Sequence, residues 1–134
     1  MGEGDNYLLI VDDQAGVRRL LCEAFIEEGY QVEEASGGAD ALKKIERALP
    51  DLVLLDIKMP LMNGLETLRE IKKISSALPV VMMTAYGELE MIQEARSMGV
   101  THYLVKPFDL NEVRRLVKSL LDEKRQKYLN KEIV

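Results

Sequence analysis

The stretch Leu52-Val53-Leu54-Leu55-Asp56-Ile57-Lys58-Met59-Pro60-Leu61-Met62-Asn63-Gly64 decides how this chain folds. Together with Asp51, its first half (residues 51–55) reads as a strand that is apolar on both faces, as a central strand of a parallel sheet must be. The apolar run stops at a carboxylate, Asp56, and residues 58–64, with their Pro, Asn and Gly, read as a loop. The pattern repeats outward in both directions. Residues 7–11 (YLLIV), 31–35, 79–83 (PVVMM) and 101–105 read as further strands, the second polar enough to lie near an edge. Between them fall helical stripes. Residues 15–28 carry Val17, Leu20, Leu21, Ala24 and Phe25 on one face and meet Gly29 where a C-terminal cap belongs. Residues 39–48 turn Ala41, Leu42 and Ile45 inward and stop before Pro50, after a turn at Ser36-Gly37-Gly38. Residues 65–74 and 88–98 follow, the latter closed by Gly99. Asp109 can cap a last helix from Leu110 to about Lys127, and residues 128–134 are expected to fray.

Five strands alternating with five helices across short connections predict a doubly wound α/β fold with a parallel sheet. The expected form is the flavodoxin-like (βα)5 three-layer sandwich, strand order 2-1-3-4-5, whose ligands bind beyond the carboxyl ends of the strands at the switch between strands one and three. Asp12, Asp13 and Asp56 fall at those two strand ends.

At 134 residues the chain is expected to be one domain (1–134), with a core from about 7 to 121 and residues 122–134 as a helix extension or frayed tail. The net charge of -5 argues against direct nucleic-acid binding, and Lys124, Arg125 and Lys127, together with Asp122 and Glu123, read as a solvated helix face rather than a binding patch. Cys22 is the only cysteine, so an internal disulfide and a cysteine zinc site are excluded, and it reads as a small core residue. The polar start MGEGDNY does not read as a signal peptide, and no apolar run is long enough to span a bilayer, so a cytoplasmic protein without a membrane partner is expected.

The chemistry lies in the residues that end the strands. Three carboxylates at one sheet edge repel one another unless a cation neutralises them, and oxygen-only ligands suit Mg²⁺, with Mn²⁺ as a substitute. Asp12 and Asp13 would hold the ion, one of them through water, while Asp56 could serve as both ligand and nucleophile, giving an aspartyl-phosphate. Lys106 would add a compact positive charge, and the Thr84 hydroxyl with the Ala85 N–H would meet phosphoryl oxygens. Taken singly, Asp12-Asp13 reads as a turn or helix cap, Thr84 as a β-branched strand end and Lys106 as a solvated strand end. Their coincidence at one edge favours the functional reading.

The motifs IVDDQ (10–14), LVLLDIKMPLMNG (52–64), VVMMTAYG (80–87) and YLVKPFD (103–109) resemble the receiver domain of two-component response regulators. The likeness covers about residues 8–121. It implies that Asp56 is the phosphoacceptor, that Asp12, Asp13, Asp56 and the backbone carbonyl of Lys58 hold the metal, and that Thr84 and Lys106 complete the signature. It further implies a cis Lys106-Pro107 peptide and Tyr103 as the aromatic switch residue, moving in concert with Thr84. His102, the only histidine, should point to the other side of the strand from Tyr103 and serve in packing or at the surface.

Within that family, VDDQ, TAYGELEMIQEA (84–95) and KPFDL resemble the single-domain relay regulators of sporulation. The resemblance implies a monomer that takes phosphate from a sensor histidine kinase and passes it to a histidine phosphotransferase, with a phosphatase as a further partner. Gln14, Gly16, Val17 and Leu20, with Pro107 and Phe108, are the expected partner contacts, although helix-one residues could equally pack on the sheet. Lys58 and Tyr86 could shield the aspartyl-phosphate from water. Other readings are a phosphorylation-switched binding module and the receiver of a longer transcription regulator. A small Mg²⁺-dependent phosphatase would want an acid two residues after the nucleophile, where this chain has Lys58. Flavin binding suits the fold but not the acidic pocket.

Overall fold

The computed structural model of the chain describes residues 6–85 and 87–133. The elements run β1 (Tyr7–Val11), α1 (Ala15–Glu27), β2 (Gln31–Ala35), α2 (Gly38–Arg47), β3 (Leu52–Asp56), α3 (Gly64–Ile74), β4 (Val80–Thr84), α4 (Leu89–Ser97), β5 (His102–Val105) and α5 (Leu110–Ile133). All strand pairs are parallel and the order is β2-β1-β3-β4-β5, as the alternation of strands and helices predicts.

Period-two alternation divides the core into two layers. Leu9, Val11, Val53, Leu55 and Met82 face a cluster completed by Ala41 and Ile45 of α2, Leu65, Leu68 and Ile71 of α3, and Ala95 of α4. Leu8, Ile10, Leu52, Leu54, Val81, Met83 and Leu104 face the other, with Leu21, Cys22 and Phe25 of α1 and Val113, Val117 and Leu121 of α5. β1, β3 and β4 are therefore buried on both faces. Cys22 is buried, as expected of a small core residue.

Three elements differ in their bounds from the sequence reading in ways that matter. β3 and β4 each begin and end one residue later than the hydrophobicity alone suggests, because the ladder continues through Asp56, paired with Met83, and through Thr84, paired with Val105. Both polar side chains are thus fixed on strands. Helix α5 does not stop near Lys127 but runs through Ile133, consistent with the absence of any Gly or Pro between residues 110 and 133. No helix among the described residues is long and apolar enough to cross a membrane.

Candidate functional site

Asp12 follows β1 and is fully buried; Asp56 ends β3 and is nearly so; Asp13 is exposed. One carboxylate oxygen from each lies within 4.8 Å of the others, a spacing at which a single cation could be shared. The switch between β1 and β3 places them together. β1 is flanked by β2 and β3, whose connections leave in opposite directions and open a crevice at the strand ends.

Each group is tied down. Asp12 Oδ1 accepts from the Gln14 backbone N–H at 2.9 Å, and its Oδ2 accepts from Lys106 Nζ at 2.8 Å. Lys106 reaches in from the end of β5, where its own N–H donates to the Thr84 carbonyl at 2.7 Å. Its ammonium also donates to Gln14 Oε1 at 3.2 Å and lies 3.5 Å from Asp56 Oδ1. The Lys106-Pro107 peptide is cis. Burial alone would lower the pKa of Lys106, but the hydrogen bond to Asp12 and the charges of Asp56 and Asp12 reverse this and hold it above the ordinary value. Asp56 moves furthest. Burial first, then the neighbouring charge of Asp12, push it to about 7 against the pull of Lys106, with Asp13 adding to the rise. An excess of negative charge in a dry crevice is the electrostatic signature of a cation site, so this donor set fits a hard divalent ion.

Thr84, buried at the end of β4, and Ala85 after it stand beside this cluster, since β4 is the neighbour of β3. Their donors are not directed at Asp56. The Thr84 hydroxyl donates to Glu88 Oε1 at 2.9 Å, and the Ala85 N–H donates to the same oxygen at 2.6 Å. Tyr103 pairs with Met82, two residues before Thr84 on the same face of the sheet. Like Met91 and Ile92 of α4 it packs against the first core cluster, its hydroxyl donates to the Val100 carbonyl at 2.8 Å, and the Arg96 guanidinium lies 5.7 Å from its ring centroid. His102 takes no part in that cluster and instead meets the Thr101 hydroxyl at 2.9 Å.

Of the expected partner contacts, Gln14, Gly16, Leu20 and Pro107 are exposed and Val17 is half-buried. Gln14 has the additional bond to Lys106, and Phe108 is not free but packs against the second core cluster. Leu20 is 50% exposed, whereas its neighbours Leu21 and Ala24 are buried, so packing on the sheet claims only part of that helix face. Lys58 is exposed, and Tyr86 lies outside the described residues.

Three contributors escape a reading of apolar pattern. Arg18 of α1 donates from Nη1 to the Asp12 carbonyl at 2.8 Å and from Nε to Glu34 at 2.6 Å, fixing the acidic turn to β2. Asn63 and Glu66 form a reciprocal capping box that starts α3; the N-x-x-E spacing is its signal in the sequence. Glu88 is the third, and only its position four after Thr84 hints at it.

An acidic crevice with a buried strand-end carboxylate and an inserted lysine defines a doubly wound protein whose strand ends could share a divalent cation. Residues 8–118 match the response regulator receiver domain family. Sporulation initiation phosphotransferase F of Bacillus subtilis (strain 168) is 50% identical over 114 residues, which make up 85% of this chain and 92% of that one. Regulatory protein AtoC of Escherichia coli (strain K12) is 42% identical over 116 residues, 87% of this chain but only 25% of AtoC. Among solved structures, the receiver domain of NtrX from Brucella abortus superposes with a TM-score of 0.81 at 32% identity, covering 86% of this chain and 98% of that one. The chain belongs to the response regulator receiver domain family.

Proposed function

We propose that this receiver is a phosphorelay intermediate: Asp56 takes a phosphoryl group from the phosphohistidine of a sensor histidine kinase and passes it to the histidine of a downstream phosphotransferase. The observation that carries the reading is the convergence of Asp12, Asp13 and Asp56, with ligand atoms within 4.8 Å of one another, beside the ammonium of Lys106. In the forward step an Asp56 oxygen forms a bond to phosphorus while the phosphorus–nitrogen bond of the donor imidazole breaks, nitrogen keeping the electron pair. The second step is the same exchange onto an acceptor imidazole.

Mg²⁺, or Mn²⁺ in its place, would be held by the three carboxylates and the Lys58 backbone carbonyl, and when bound supplies charge neutralisation for both carboxylates and phosphoryl oxygens. Lys106 adds a fixed positive charge, and Thr84 and Ala85 are the hydrogen-bond donors for phosphoryl oxygens. Tyr103 is the residue through which the state of Thr84 would reach the α4 face. Gln14, Gly16, Val17, Leu20, Pro107 and Phe108 are the candidate surface where kinase, phosphotransferase and any phosphatase would dock. The whole chain acts as one receiver unit. The relay reading, including a role in sporulation, is supported by the likeness to sporulation initiation phosphotransferase F, of which this chain spans nearly the full length.

Incubation with Mg²⁺ and acetyl phosphate, followed by intact mass, tests the assignment. A single phosphoryl adduct is expected, absent from Asp56→Asn and persisting after donor removal. No adduct would sink the Asp56 assignment, and rapid loss would favour a second reading. That reading is a switch within a longer regulator. It is favoured by the length of α5, which continues well past its last buried core residue, Leu121, and by the likeness to AtoC, of which the chain spans a quarter.

A further inference from the structure

Glu88 is a buried carboxylate, and its hydrogen bonds in this structure go to the two donors that a phosphoryl group on Asp56 would need. A threonine hydroxyl carries one hydrogen. The Ala85 carbonyl lies 3.2 Å from it, but the charged Glu88 oxygen is nearer at 2.9 Å and is the stronger acceptor. The Ala85 N–H, at 2.6 Å from the same oxygen, is committed as well. One carboxylate oxygen therefore takes up both donors, as an oxygen of a phosphoryl group would.

Glu88 also starts α4: it is the N-cap residue, and its carbonyl accepts from the Ile92 N–H at 3.0 Å. Gly87 just before it has φ of 88°, a left-handed conformation that glycine adopts without steric cost. Met91, Ile92 and Tyr103 pack against the same core cluster, and the Tyr103 hydroxyl lies 3.4 Å from the Ile92 carbonyl. The Glu88 side chain makes no cap bond within α4, so the two hydrogen bonds to Thr84 and Ala85 are what fasten the start of the helix back onto the end of β4.

We propose that Glu88 is a positioning residue that holds Thr84 and Ala85 in the unphosphorylated arrangement, and that an incoming phosphoryl group must displace it. Displacement frees both donors for the phosphoryl oxygens and releases the start of α4, so the same event that completes the site alters the Tyr103 face. This rests on the reading of Asp56 as phosphoacceptor.

The test uses the full chain with Mg²⁺, comparing wild type, Glu88→Gln, Glu88→Ala and Asp56→Asn. Weakening a charge-assisted bond should speed phosphorylation by acetyl phosphate roughly tenfold in Glu88→Ala, and by less in Glu88→Gln, which keeps an acceptor of the same shape. The amide resonances of α4 and Tyr103 in unphosphorylated Glu88→Ala should lie closer to those of wild type bound to beryllofluoride, a shift that loss of stability alone would not produce. Rates within twofold of wild type, in variants that retain a folded spectrum, overturn the proposal and leave the Asp56 assignment standing. Absence of any adduct on wild type overturns both. If neither Glu88 variant folds, wild type decides: on beryllofluoride binding the Ala85 amide and the Glu88 side-chain carboxyl resonance should move together, and an unmoved Glu88 carboxyl overturns the proposal.

Discussion

Burial and the charge of Asp12 raise Asp56 from an ordinary value of 3.8 to about 7, so in the absence of a cation the folded chain binds a proton that the unfolded chain releases. The folded state is therefore favoured most below pH 3.8 by this group, and that contribution is lost as pH rises from 3.8 through about 7. The full span corresponds to about 4 kcal/mol, an upper bound because Lys106 and Asp12 readjust. Asp56→Asn should accordingly unfold at a higher temperature than wild type at pH 8, by about 1–4 kcal/mol of stability, and lose most of that advantage at pH 5. Mg²⁺ should narrow the gap at pH 8 by binding the wild-type site. Calorimetry at the two pH values with and without Mg²⁺ checks this, and an Asn variant less stable than wild type at pH 8 would contradict the electrostatics. A second residue-scale prediction concerns Leu61, in the loop after Asp56. It has φ of 67° and is fully exposed, so it takes a left-handed conformation without packing in return. Leu61→Gly should stabilise the chain by about 0.5 kcal/mol, the relief of strain exceeding the added freedom of the unfolded chain. Urea denaturation should show a higher midpoint with an unchanged slope.

At the scale of elements, the strand that ends in Asp56 is braced by the helix that follows it. The Gly64 N–H donates to the Ile57 carbonyl at 2.7 Å, and the Asn63–Glu66 capping box fixes the first turn of α3 directly beyond the site. A Cβ on Gly64 would lie 2.6 Å from Ile57 Cα and against the Asp56 carbonyl oxygen, both backbone atoms that cannot yield cheaply. Gly64→Ala should cost about 2–3 kcal/mol and slow phosphorylation at Asp56 more than tenfold by displacing the end of β3, as denaturation and intact-mass kinetics would show. This brace also marks what was legible in advance. Apolar runs such as Leu52–Asp56 betray buried parallel strands because both faces must be apolar, and the breaks in those runs located Asp12, Asp13, Asp56, Thr84 and Lys106 at one edge. What the pattern could not supply was polar geometry. Arg18 binds a backbone carbonyl and Glu88 binds two donors, and neither contact has a periodicity. The sequence reading stops α5 near Lys127 because chain ends commonly fray, whereas residues 128–133 contain no Gly or Pro to break the helix and it runs on through Ile133.

The whole molecule is a sheet sealed by two apolar layers, and its core closes at Leu121, leaving the rest of α5 outside it. The described side chains after Leu121 are exposed, and among them Lys124 is tied to the body through Asp51, with Nζ 3.3 Å from its carbonyl and 3.4 Å from its carboxylate. Such a solvent-exposed pair contributes about 0–1 kcal/mol. A chain truncated after Lys127 should therefore match the full chain in melting temperature, and one truncated after Leu121 should fall by no more than roughly 5 °C. Both should accept phosphate at the wild-type rate, because every group in the crevice comes from β1, β3, β4, β5 or the residues that immediately follow them. Thermal melts and acetyl phosphate kinetics on the two truncations check this together. A large loss of stability would mean that the helix extension is part of the folded body. Unchanged stability and rate would show that folding and phosphate acceptance need nothing beyond Leu121, and would leave the extended helix free to connect the receiver to a partner or to a following segment.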